Sequence, residues 1–291
     1  MKRKLNRLTL SDYFNCVFLI LIGFITLYPL IYIVSISFSS MQEAARMGFH
    51  LYPKEVSVGA YKVVFETPEI YRQYANTIIR TVCGTVLGLL VTSMFAYSVS
   101  QKSMPHRKLL MNMALFTMLF SGGIVPSYLT INKLGLIDNF LVLILPSVIS
   151  AYNVIIMKSF FMGIPESISE SAQIDGANKF LILFRIILPI SKPVLATVGL
   201  WMAVSHWNSW YDAMIYINSE EKQVIQNFLR KIIMENNTNL VDKGIVNELS
   251  DYTPETIKAA TVVVTVLPIL CVYPFIQKYF VKGVTIGAVK G

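Results

Sequence analysis

The sequence predicts an all-α integral membrane protein with six transmembrane helices and both termini in the cytoplasm. Three observations carry that expectation. Hydrophobic residues make up 54% of the chain and charged ones only 14%, with a mean hydropathy of +0.57, whereas soluble domains carry about 25% charged residues. Six apolar runs are each long enough to meet the roughly 20 residues that a bilayer crossing needs, and Lys and Arg collect in alternate connecting segments. Hydrocarbon offers a backbone no partner but itself, so the runs should be helices. Together they form a single transmembrane domain over residues 1–291.

The expected spans are approximately 13–37, 74–100, 109–131, 140–161, 193–217 and 257–281, with a polar hairpin at 163–192 between the fourth and fifth. The first follows a basic Lys2, Arg3, Lys4 and Arg7 and could pass for a signal peptide. Its apolar run is too long for one and no small-x-small site closes it, so it is expected to remain as a span. The third contains Ser121, Gly122, Gly123 and Pro126, read as packing or hinge positions. Tyr152 and Asn153 fall near the middle of the fourth, and Asn153 is expected to line a pathway.

Orientation follows from the basic residues. They lie at the N-terminus, after the second span (Lys102, Arg107, Lys108), in and beside the hairpin (Lys158, Lys179, Arg185, Lys192) and at the C-terminus (Lys278, Lys282, Lys290). The other segments, 38–73, 132–139 and 218–255, mix bases with acids such as Glu43, Glu55, Asp138, Glu220, Glu221, Asp242 and Glu248. Cytoplasmic loops carry the basic excess, which puts the hairpin in the cytoplasm.

The formal net charge of +8 does not point to nucleic acid, because the bases sit in short clusters between apolar runs. Cys16, Cys83 and Cys271 lie inside apolar runs with no CxxC pair and read as small fillers. The chain has no GxxxxGK[ST], HExxH or GxSxG, and His50, His106 and His206 are isolated, so it should neither hydrolyse ATP itself nor hold a metal or cofactor.

The hairpin reads GIPESISESAQIDGANKFLILFRIILPISK. Ile164, Ile168 and Ala172 share one helical face, Pro165 suits a helix start and Gly176 a left-handed end. A second helical run, 177–188, is expected to stop at Pro189. The triplet Glu170-Ser171-Ala172, then Asp175-Gly176, then Ile187-Leu188-Pro189 resembles the EAA loop of ABC importer permeases, with Ser171 in place of the first alanine.

The resemblance runs through LYPKEVSVGAYKVVF (51–65), FSGGIVPSYL (120–129), LGLIDN (134–139), ILPSVISAYNVIIMKSFF (144–161), HWNSWYDAMIYI (206–217) and FVKGVTIGAVKG (280–291). These stretches are similar to the carbohydrate-uptake branch of binding-protein-dependent permeases, related to the maltose system and to oligosaccharide permeases of Gram-positive bacteria. The resemblance implies a type I importer fold in the cell membrane. It also implies a second homologous permease, two copies of a cytosolic ATPase that binds ATP and Mg, and an extracellular sugar-binding lipoprotein. Glu170, Ser171, Ala172, Asp175, Gly176 and Pro189 would then form the coupling knob on the ATPase, and the cargo would be a carbohydrate, most simply an oligosaccharide.

Ionisable groups inside a span face a bundle interior, a partner or water. Arg80 and Asp212 lie at similar depth in the second and fifth spans, so an ion pair, a shared polar lining or, for Arg80, snorkelling all fit. In the fifth span Ser205, Asn208, Ser209 and Asp212 share a face by helical spacing, beside a stripe of Trp207 and Tyr211. Planar aromatics with hydrogen-bonding side chains suit a sugar, and an aromatic belt at the interface explains His206 and Asn208 poorly. Arg80, Asn153, His206, Trp207, Asn208, Tyr211 and Asp212 are therefore the expected substrate-pathway residues. Three rivals remain: import of a peptide or amino acid, a membrane enzyme using Asp212 and His206, and a secondary transporter. The second is opposed by their six-residue separation, and the third by the lack of inverted halves or an acidic relay.

Overall fold

The computed structural model describes residues 10–46, 48, 50–234 and 252–288. The N-terminal bases, Asp242, Glu248 and Lys290 lie outside them. In chain order the helices are α1 (Leu10–Ser37), α2 (Met41–Ala44), α3 (Gly59–Glu66), α4 (Pro68–Ser100), α5 (Arg107–Leu119), α6 (Ile124–Lys133), α7 (Ala151–Met162), α8 (Glu166–Ile174), α9 (Lys179–Ile182), α10 (Leu188–Ile190), α11 (Lys192–Asn208), α12 (Tyr211–Tyr216), α13 (Ile225–Met234) and α14 (Pro254–Ala288). Strands are absent among the described residues save one antiparallel bridge between Ser39 and Val56.

Contacts divide the chain into two compact units, Met1–Pro68 with Leu229–Leu267 and Glu69–Phe228 with Pro268–Gly291. In the first, α1 is apolar on all sides and exposed up to its last turn, where Ser35, Ile36 and Ser37 are buried, as suits a helix facing lipid or another chain. Its C-terminal end is tied down where the Ser37 hydroxyl meets the Tyr61 hydroxyl at 2.8 Å. The Ser40 hydroxyl donates to Glu55 at 3.0 Å, and Arg46 pairs with the buried Glu43 at 2.9 Å. Thr253 and Thr256 cap α14 reciprocally, each side-chain oxygen accepting the other's backbone N–H, with Pro254 at the first helical position.

The second unit is built on α4. Its core joins Ala96, Tyr97 and Val99 of α4 to Val154, Met157 and Phe161 of α7, to Ala172, Ile182, Leu183 and Ile187 of the hairpin, and to Val194, Val198 and Met202 of α11. Small residues on α4 admit α11 closely: a Cβ on Gly88 would lie 3.1 Å from the Met202 sulfur, and one on Gly84 would fall in the His206 ring.

Three of the expected spans are not single helices. The third breaks between α5 and α6, which meet at 117°. Phe120 is extended and Gly123 has φ +84°, a conformation that an L side chain rarely adopts. The fourth is two short 3-10 turns, Phe140–Leu143 and Leu145–Ser147, bent by 48° from α7 through an extended Ser150. The fifth ends as helix at Asn208, where Ser209 turns extended, and resumes as α12. Three helices qualify as spans by length and apolarity, and up to six do if each bent pair counts as one.

One acidic residue binds the loops at 134–139 and 217–222 together. Asp138, itself at φ +55°, accepts the amide N–H groups of Asn218 and Ser219 at 3.1 and 2.9 Å and the Ser219 hydroxyl at 2.5 Å. The Lys222 ammonium reaches its carboxylate at 3.0 Å. The Ser219 hydroxyl and amide, and then Lys222, hold this carboxyl well below the usual carboxylate range. Nearby, Asn76 donates to the carbonyls of Glu221 and Gln223, and Thr77 accepts from the Ile225 amide at 2.9 Å.

Candidate functional site

The hairpin folds as its local chemistry dictates. Pro165 precedes α8, and Ile164 and Ala172 turn towards the bundle while Glu170, Ser171 and Asp175 stay exposed. At the C-terminus the amide of Gly176 donates to the carbonyl of Gln173 at 3.0 Å and that of Ala177 to the carbonyl of Ala172 at 2.9 Å. This is a Schellman cap with glycine at φ +85°. The next helix begins at Lys179 rather than Ala177, because the Ala177 amide is spent on that cap and the Asn178 side chain accepts from Leu181 at 2.8 Å as a new N-cap.

Nor does that helix stop at Pro189. Proline cannot donate to the carbonyl four residues back and its ring crowds that turn. The chain widens instead into a π-turn over Leu183–Ile187, with the Leu188 amide on the Leu183 carbonyl, and runs on to Ile190 with Pro189 exposed. Wide turns of this kind are often found at functional positions. The break comes at the buried Ser191, where the arm turns by 86° into α11.

The result is a knob with two faces. Ala172, Ile182, Leu183 and Ile187 root it in the core, so Ala172 faces the bundle. Outward it presents Glu170, Asp175 and an Ile174 that is 87% exposed. Behind α8 a cavity of about 520 Å³ is lined by Tyr97, Lys102, Glu166, Ser169, Glu170 and Gln173, and Lys102 pairs with Glu166 across it at 2.8 Å.

The polar cluster sits at the break between α11 and α12. Arg80, 1% exposed on α4, donates from Nη1 to the Ser209 carbonyl at 3.0 Å and pairs through Nη2 with Asp212. The other carboxylate oxygen of Asp212 accepts the Ser209 hydroxyl at 3.0 Å and the Ala213 amide at 2.9 Å. Of the alternatives open for Arg80 and Asp212, the geometry is that of an ion pair, with Arg80 buried and Asp212 partly exposed. An unsatisfied backbone group in hydrocarbon costs several kcal/mol, so these bonds explain how a helix can break there.

The expected polar face does not form across that break. Ser205 and Asn208 lie on α11, but Ser209 and Asp212 belong to the turn and to α12, and helical spacing no longer relates them. His206 is buried against Gly84, and Trp207 is buried with its ring 6.0 Å from Tyr74. Asn208 is exposed and, with Trp201, Ser205 and Ser209, lines a cavity of about 720 Å³. Tyr211 is exposed with its ring against Trp210, and Asn153 is half-buried on α7. The structure thus gathers Arg80, His206 and Asp212 at α4 and Asn208 at the cavity, and leaves Asn153 and Tyr211 apart. Two residues escaped the sequence reading. Trp201, its ring 5.7 Å from Tyr152, is seven positions before Asn208 and so on its face, a legible signal; Asp138 gave only a glycine-bearing loop.

Residues 9–286 match the family described as binding-protein-dependent transport system inner membrane component. The polygalacturonan/rhamnogalacturonan transport system permease protein YtcP of Bacillus subtilis is 41% identical over 274 residues, 94% of this chain and 96% of that one. Protein LplC of the same organism is 41% identical over 280 residues, 96% and 95% of the two chains. A chain from the crystal structure of a bacterial ABC transporter involved in the import of the acidic polysaccharide alginate superposes with a TM-score of 0.87 at 34% identity, over 94% of this chain and 98% of that one.

Proposed function

Because the chain belongs to the binding-protein-dependent transport system inner membrane components, we propose that it is the transmembrane permease subunit of an ATP-driven importer that carries an oligosaccharide into the cytoplasm. The observation that carries this reading is the 41% identity, nearly end to end, to a permease named for polygalacturonan and rhamnogalacturonan transport. The likeness to a chain of an alginate importer supports the same class of cargo over a peptide or amino acid. The chain is a transport subunit and not an enzyme, in keeping with how these relatives are named.

The geometry supplies a lever. The knob docks on a cytosolic ATPase through Glu170, Asp175 and Ile174, and the core residues behind it carry any displacement into α4, α7 and α11. From the bend at Ser191, α11 runs 17 residues, about 25 Å, to Asn208 at the cavity. One helix therefore links the docking knob to the pathway, and rigid-body rocking of such an element is how alternating access is achieved. In this reading the bent third and fourth segments, together with α11 and α12, complete six spans, the termini and knob are cytoplasmic, and the Asp138 staple lies outside, on the side of an extracellular sugar-binding lipoprotein. A second homologous permease and two ATPase copies that bind ATP and Mg complete the complex, in the cell membrane of a Gram-positive bacterium. Asn208, at the cavity beside Trp201, contacts the sugar.

The test is uptake by membrane vesicles holding the assembled complex, loaded with ATP inside and given labelled oligogalacturonides, arabino-oligosaccharides, alginate oligosaccharides or a tripeptide. Accumulation of at least one sugar and not of the peptide is expected. Peptide uptake with no sugar uptake would overturn the carbohydrate reading.

A further inference from the structure

The Arg80–Asp212 pair sits among the pathway residues, yet its atoms are committed elsewhere. Arg80 spends one guanidinium nitrogen on the Ser209 carbonyl and another on Asp212, while Nε is buried without a hydrogen-bond partner among the described residues. Asp212 spends one oxygen on Arg80 and the other on the Ser209 hydroxyl and the Ala213 amide. Its side chain is 24% exposed and that of Arg80 only 1%. At 1% exposure the remaining N–H donors of Arg80 are out of reach of a sugar hydroxyl.

These bonds meet at the one place where the fifth span has loose ends. Where α11 stops, the backbone carbonyls of its last turn lack helical partners, and where α12 starts its first amides do. The cation on α4 takes a carbonyl on one side of the break, and the anion takes an amide on the other, at the end of α12 where the helix dipole favours negative charge. Two helix ends are thus held to one residue of α4. The register continues below, with Gly84 against His206 and Gly88 against Met202, so Arg80 closes a seam that fixes the rotation of α11. That rotation decides whether Asn208 and Ser205 face the cavity beside Trp201.

We infer that Arg80 and Asp212 are positioning residues: an ion-pair clamp, its guanidinium buried and its carboxylate oxygens spent on the protein, that holds the break of the fifth span and thereby aims Asn208 into the cavity. This rests on the import reading only for what the cavity carries; the clamp itself is read without any sugar.

The experiment uses the assembled complex in membranes, with Cys16, Cys83 and Cys271 replaced by alanine. Asn208→Cys reports by its rate of alkylation with a water-soluble maleimide, and Asn132→Cys, exposed at the end of α6, serves as control. Arg80→Met and Asp212→Asn should each change the rate at position 208 at least fivefold and leave that at 132 within twofold. The exchanged pair, Arg80→Asp with Asp212→Arg, should return the rate, or the membrane level where a single variant lowers it, to within threefold of the parent. Arg80→Lys, which keeps the charge but not the fork that reaches two acceptors, should fall between. Unchanged alkylation in Arg80→Met, or an exchanged pair no better than the single variants, would overturn the clamp. A sugar failing to be transported would leave this outcome untouched, so the two readings fail separately.

Discussion

Gly176 isolates one physical cost. With φ at +85° and no atom within 4 Å of where a Cβ would stand, Gly176→Ala meets no neighbour, and its whole penalty is that of the left-handed backbone. That penalty is about 1–2 kcal/mol for an L-residue, or roughly a 5- to 30-fold shift towards an opened cap. Opening breaks the bonds from Gly176 to Gln173 and from Ala177 to Ala172 together, which frees the end of α8 beside Asp175. Hydrogen–deuterium exchange over 166–182 in the assembled complex reads this directly, and the Ala177 amide should exchange faster by about that factor. Gly176→Asn should lose less, since asparagine tolerates the left-handed region. ATP-driven uptake should fall in the same order. An unchanged exchange rate in Gly176→Ala, or an asparagine variant as fast as the alanine one, would refute the argument that backbone conformation governs the knob.

Other perturbations follow from the same geometry. Glu170→Lys should abolish ATP-driven uptake while the protein still reaches the membrane, measured by transport beside immunoblotting; full transport would remove the knob from coupling. Asp138→Asn should loosen the amides of Asn218 and Ser219 at pH 7, seen by hydrogen exchange. Because the folded carboxyl is held below its ordinary value, its contribution is complete above about pH 4 and disappears as pH falls through the lowered value. The parent should therefore come to resemble Asp138→Asn only in strong acid. Gly84→Val should lower the melting temperature of the detergent-purified complex, because the new side chain enters the His206 ring and overpacking costs about 1–3 kcal/mol. A double-mutant cycle with His206→Ala should show the two positions coupled, and strict additivity would count against that contact.

Much of this molecule was legible in sequence because its signals are local. Apolar runs, the Pro165 start and Gly176 end of α8 and the spacing of the knob residues each depend on a few neighbours, and α8 formed where that spacing placed it. The polar face of the fifth span was less legible. Its three- and four-residue spacing marks a face only on one continuous helix, and a helix in an apolar setting should not break unless its loose ends find partners. Those partners came from Arg80, about 130 residues away in sequence. The same is true of Pro189, whose effect depended on whether the helix could widen into a π-turn over a packed core.

By itself, then, the sequence determined that the chain is helical and membrane-bound, which polar residues it places within apolar runs, and the knob with its glycine cap. These follow from hydropathy, charge and backbone sterics, which act over one or two turns. Tertiary structure alone decided that Ala172 roots the knob while Ile174 presents it, that Arg80 and Asp212 face each other, and that Asn208 rather than His206 or Trp207 meets the cavity. The reason is physical: which face a side chain turns to depends on what packs against its helix, and at a break it depends on which distant group satisfies the exposed backbone.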